Sequence, residues 1–220
     1  LTGFTPEFGM HLRGNRLADV HIHIDYPLAE VTDYACAGYY LAKNYPDALP
    51  VFTGIPQGCP QYALKAVCAS LGSSGSVSMF HAVGITPEAP TLEASTGSRK
   101  IESISMGRKE RDETARFLGR TNDSAEVDCV FMGCPHLDFE EVMQLAGLLK
   151  GRKVKSGVSL WLYASHAVWS GCERSGLTRE LRNAGALLIS DTCPSITVLS
   201  DVIASRGFKS AATNSAKQAH

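Results

Sequence analysis

The sequence predicts an α/β fold of parallel or mixed sheets with helices on both faces, and three observations carry the prediction. Short runs rich in β-branched and aromatic residues alternate with amphipathic runs of helical length. Glycines and prolines fall between the runs, where elements must stop. With 44% apolar and 20% charged residues, the 220-residue chain has the composition of a globular protein, long enough for one large domain or two small ones.

Residues 18–25, ADVHIHID, alternate apolar and polar side chains and read as a strand. His21 and His23 share one face of it, either as a metal pair in need of a third ligand or as two ordinary strand histidines. A helical rhythm follows over 31–45, with Thr32 or Asp33 placed to cap it. Strand 49–55 and helix 61–72, stopped at Gly72, come next. Residues 76–85 form a β-rich run in which His81 reads as a core histidine, and 86–100 read as loop because of their two prolines. A helix covers 108–118. The pattern then tightens: strand 126–133, helix 138–151 with an Asp138/Glu141 capping box and Gly151 at its end, strand 157–165, helices 166–176 and 178–185, and strand 186–190. The natural boundary is the loop near 95–105, giving α/β parts 1–100 and 101–220. The sequence shows no internal repeat.

The net charge of −1 offers no basic footprint for nucleic acid. No apolar run approaches the ~18 residues of a membrane span, and the first residues lack a signal-peptide layout. The chain starts without Met and reads as beginning inside a longer polypeptide. Seven cysteines, odd in number and irregular in spacing, imply reduced thiols and hence a cytoplasmic setting. Cys36, Cys68 and Cys172 in helical patterns, and Cys129 in mid-strand, read as small buried hydrophobes.

In open parallel sheets, ligands gather beyond the carboxyl ends of the strands. Three apolar strands end there in polar tripeptides: Gly133-Cys134-Pro135, Ala164-Ser165-His166 and Asp191-Thr192-Cys193. If these strands are parallel neighbours, two thiols meet a serine and two histidines. Cys134 and Cys193 each precede a proline at a strand tip, as do iron–sulfur ligands in some cluster motifs. Two sulfurs do not complete a site. Cys59 is the other loop cysteine followed by proline, and the tight C-x₂-C spacing of a zinc site is absent.

MGCPHLDFEEV, ISDTCP, ATNSAKQAH, SSGSVSMFHAVGITPEAPTLE and GFTPEFGMHL lie along nearly the whole chain. Together these blocks resemble the large subunit or region of the aconitase X family, of which this chain resembles the C-terminal part. The resemblance implies an aconitase-like α/β fold, an iron–sulfur cofactor and hydro-lyase activity. It implies Cys134 and Cys193 as cluster ligands, with a third cysteine outside this chain. It also implies that an N-terminal portion of the large region and a small swivelling domain or subunit are partners, along with a small hydroxy acid as substrate. Cis-3-hydroxy-L-proline is the expected substrate, with mevalonate 5-phosphate as the alternative.

His136, two residues after Cys134, is the candidate catalytic group, or else a loop histidine bonded to backbone. Ser73, Ser74 and Gly75, in a hydroxyl-rich turn whose amides suit an anion, are substrate-binding candidates with Ser165, Ser215 and Lys217. Glu88 reads as pocket lining or a helix-start carboxylate. A nucleophilic Ser/His pair is disfavoured, because no nucleophile-elbow pattern occurs. The competing class is a non-catalytic assembly domain with structural cysteines.

Overall fold

A computed structural model describes residues 3–119, 126–195 and 199–220. The chain forms two compact units, Leu1–Leu118 and Gly119–His220. The division falls at 118/119, not 100/101. The segment 101–118 stays with the first unit because it supplies that unit's fourth strand and last helix.

The first unit runs β1 (Val20–Asp25), α1 (Val31–Asn44), β2 (Pro50–Thr53), α2 (Gln61–Ser74), β3 (His81–Ala82), α3 (Leu92–Thr96), β4 (Glu102–Gly107) and α4 (Arg108–Leu118). Its strands are all parallel in the order β3-β2-β1-β4. Val20, Ile22, Ile24 and Phe52 bury against α1 and α2 on one face, while Val51 packs with Met79, Val83 and Leu92 on the other. Helices thus cover both faces, as parallel sheets require. Asp33 sits at the third helical position of α1 and accepts the Glu30 and Ala29 amides at 2.8 and 2.9 Å, so Glu30 is the N-cap.

The second unit runs β5 (Cys129–Leu137), α5 (Phe139–Leu149), β6 (Ser159–Ala164), α6 (His166–Ser175), α7 (Leu177–Ala184), β7 (Ala186–Ser190), α8 (Leu199–Arg206), β8 (Ala211–Ala212) and α9 (Ala216–Ala219). Its strands are parallel in the order β7-β6-β5-β8. Leu162 and Ala164 face Val142, Cys172 and Leu181 of α5–α7. Trp161 and Tyr163 point the other way, toward Val202 and Phe208. The Asp138/Glu141 capping box forms with both bonds at 2.9 Å.

Several expectations are corrected. The run 76–85 contributes only His81–Ala82 to the ladder, and 86–100 contains the short α3. Helix α2 passes through Gly72 and ends at Gly75. Cys68 is exposed, because Ala63, Val67 and Leu71 take the inward face of α2; Cys36, Cys129 and Cys172 are buried. None of the seven cysteines is in a disulfide. Among the described residues no helix is long and apolar enough to cross a membrane.

Candidate functional site

Both units place their first strand centrally, the second and third to one side and the fourth to the other. In each unit the chain adds its second and third strands in one direction and then crosses back to place the fourth on the other side of the first. Such a switch point opens a crevice at the carboxyl edge of the sheet. In the second unit Cys134 stands at that crevice.

The register explains how. Met132 pairs with Leu162 and Leu137 with Ala164, so residues 133–136 bulge out opposite Tyr163 alone. Gly133, at φ +107°, makes the turn, and its missing Cβ lets the backbone of Tyr163 approach. The Cys134–Pro135 peptide is cis. From the β8 side, the buried Ser215 hydroxyl donates to the Cys134 carbonyl, and Gln218 Nε2 lies 3.1 Å from Cys134 Sγ. From the β7 side, His136 Nε2 lies 2.7 Å from the Thr192 carbonyl, the residue before Cys193. Gln218 Nε2 also reaches Ser195 Oγ, two residues beyond Cys193, at 2.7 Å. The two cysteine loops are thus laced together twice, by His136 and by Gln218.

Asp191, at φ +55°, braces the β7 loop by accepting the His166 amide at 2.7 Å. His166 is exposed and stacks on Trp169. The Ser165 hydroxyl accepts the Val168 amide as the N-cap of α6, which engages the side chain expected to meet substrate. Lys217 is exposed on α9. Ser73, Ser74 and Gly75 belong to the first unit, in or just after the last turn of α2. Ser73 and Ser74 donate to the Ser70 carbonyl, at 3.3 and 2.5 Å, and the Gly75 amide donates to Leu71 O. The expected nest of unengaged amides does not form there. The His21 ring nitrogens meet Ser103 and Thr53 hydroxyls at 2.8 Å, and His23 Nδ1 shares Thr53 at 3.0 Å. Both histidines of the suspected metal pair therefore serve cross-strand bonding. Burial, helped by the neighbouring His23, lowers the His21 pKa. Glu88 pairs with Arg16 at 2.8 Å, which holds its carboxyl below the usual range.

Burial pushes the Cys36 thiol up to about 11 and raises those of Cys129 and Cys172, as befits inert core thiols, and it raises Cys59 as well. Among the described residues no three His, Cys, Asp or Glu side chains converge as a metal site. Cysteine sulfurs near N–H donors at a strand edge suit iron–sulfur ligation, and Cys134 Sγ has such a donor in Gln218 Nε2. Sequence reasoning missed Ser195 and Gln218. Gln218 was hidden in the pattern Ser215-x-x-Gln218, which reads as a helix cap.

Two parallel α/β units, the second with Cys134 at its switch point and the Cys193 loop bonded to it, define an α/β protein of the aconitase-like kind. The chain belongs to the aconitase X family: the family's second-domain model matches residues 18–116 and its third-domain model residues 127–220. It is 36% identical to the cis-3-hydroxy-L-proline dehydratase of Pseudomonas aeruginosa, covering 100% of this chain and 38% of that protein. It is 33% identical to the phosphomevalonate dehydratase large subunit of Methanothermobacter thermautotrophicus, covering 100% of this chain and 52% of that one. The crystal structure of Thermococcus kodakaraensis aconitase X in its holo form superposes with a TM-score of 0.83 at 29% identity, over 98% of this chain and 53% of that one. The chain thus spans roughly half or less of these relatives' lengths.

Proposed function

We propose that this chain is part of a hydro-lyase that removes water from a small hydroxy acid, converting cis-3-hydroxy-L-proline to Δ1-pyrroline-2-carboxylate. The observation that carries the reading is the lacing of the Cys134 and Cys193 loops at one switch point, through the 2.7 Å contact of His136 with Thr192 O. Cys134 and Cys193 would hold an iron–sulfur cluster from this chain's side, with a third cysteine from elsewhere in the protein, and that group would supply a Lewis acid for hydroxide, otherwise a poor leaving group. Ser215 fixes the Cys134 carbonyl and thereby the direction of its sulfur. His136, with Nε2 engaged by Thr192 O, braces the two loops against each other. The proton acceptor belongs to a small swivelling domain or subunit, consistent with relatives named as large subunits.

Lys217, exposed beside Gln218, offers one cation to the carboxylate of a small hydroxy acid. A phosphate monoester asks for more cationic donors than this edge displays among the described residues. The second reading, dehydration of mevalonate 5-phosphate, draws on the relatives of that name that cover the whole chain. The test is anaerobic preparation of the full-length protein with its small domain, followed by dehydration assays on both compounds. Brown protein absorbing near 400 nm, with turnover of the proline derivative, is expected. Cys134→Ser or Cys193→Ser should remove the colour and lower turnover by at least ~100-fold. Turnover of the phosphate ester alone selects the second reading. Colourless, iron-free protein inactive on both compounds overturns each and leaves the assembly role.

A further inference from the structure

The segment Ser215-Ala-Lys-Gln218 has the form of a capping box, in which the glutamine amide should turn back to the Ser215 N–H. It does not. Ser215 N donates instead to Thr213 Oγ1 at 3.2 Å, while Gln218 Nε2 stands 3.1 Å from Cys134 Sγ and 2.7 Å from Ser195 Oγ. The side-chain NH₂ carries two hydrogens, and two acceptors lie within reach. A thiolate has no proton to offer, so a Cys134 serving as a ligand can be met only by the nitrogen end of the amide, which settles its orientation. The contact is half-buried, where a hydrogen bond to a charged sulfur is strengthened.

We propose that Gln218 is a positioning residue that holds the Cys134 sulfur by an N–H···S bond and ties it, through Ser195, to the loop of Cys193. The inference rests on the iron–sulfur reading above. Donors to ligand sulfur draw off charge and set the reduction potential. Gln218 therefore stabilises the reduced cluster and keeps the two ligand loops in register.

The experiment uses the anaerobically prepared full-length holoprotein. The midpoint for one-electron reduction by dithionite is measured, together with the rate at which a chelator removes iron. Gln218→Leu deletes both hydrogens. It should lower the midpoint by a roughly tenfold change in the oxidised-to-reduced ratio, ~59 mV for one electron, and speed iron loss several-fold. Gln218→Glu keeps the length, replaces the donors by a charge and should shift the midpoint further down, so a folding defect in one variant leaves the other to decide. Ser195→Ala keeps the bond to sulfur and should keep the wild-type midpoint. A wild-type protein that binds no iron overturns the function and this inference together. A wild-type cluster whose midpoint and iron retention are unchanged in both Gln218 variants overturns this inference alone.

Discussion

Gly133 is the residue on which the Cys134 loop depends. At φ +107° it adopts a backbone conformation that side chains avoid, and an added Cβ would collide with the Tyr163 carbonyl oxygen and lie 2.9 Å from the Tyr163 nitrogen. Both obstacles are backbone of the neighbouring strand, so neither can rotate away. Gly133→Ala should cost about 3 kcal/mol or more. Trp161 and Trp169, the two tryptophans of the chain, both lie in the second unit, so urea unfolding followed by tryptophan fluorescence reads the loss there directly. An unchanged midpoint would show that the bulge is not built on Gly133. At this scale the sequence displayed the two cysteines, because Cys-Pro after an apolar run is a local signal. It concealed the contacts of Gln218 and Thr192, because their partners lie 84 and 56 residues away. Ser165 and Ser74 bond locally instead, and a hydroxyl in a polar turn looks identical whether it faces a ligand or its own helix.

Among elements, α1 and α4 are joined by one ion pair. Asp33 Oδ1 takes Arg111 Nε at 2.8 Å and Nη2 at 2.6 Å, while Oδ2 takes the two amides that open α1. Burial alone would raise the Asp33 pKa. The Glu30 amide, Arg111 and the Ala29 amide outweigh it and hold the carboxyl below its usual range. A folded pKa below the unfolded ~3.9 means that the stabilisation is complete above that value and is lost as pH falls through the folded one. Asp33→Asn should cost about 2–3 kcal/mol at neutral pH, less than a fully buried pair because Arg111 is 26% exposed. Below about pH 4 the variant's stability should fall less steeply than the wild type's. Circular dichroism of the first unit against urea at pH 7 and pH 3.5 measures both; equal slopes would remove Asp33 from the account. Most elements were legible, since helices with caps such as Asp138 and strands such as 186–190 carry their signals locally. Strand β4 was not: IESISMG mixes charge, serine and glycine, and it becomes a strand because β1 offers it a six-residue parallel register. Strand β3 failed in the opposite sense, with a β-rich composition that found only two partners on β2.

Over the whole molecule, the order 3-2-1-4 occurs twice, although no repeat is visible in the sequence. Strand order is fixed by which edges remain open as each βαβ unit closes, and many sequences satisfy the same closure. Each unit has its own sheet and its own buried clusters, and the family's second- and third-domain models fall on one unit each. The pieces 1–118 and 119–220 should therefore each unfold cooperatively when made separately. The second piece carries both Cys134 and Cys193 with their lacing residues His136, Ser215 and Gln218. Two protein sulfurs leave a four-iron cluster short of the three-thiolate hold that iron–sulfur chemistry with one open iron requires. Reconstituted anaerobically and then desalted, piece 119–220 should lose most of its iron, while the full-length protein treated in parallel keeps it. Iron and sulfide analysis of the two samples makes the comparison. Stoichiometric retention by the isolated piece would mean that its own residues complete the coordination, and the expectation of a third cysteine from outside this chain would have to be given up.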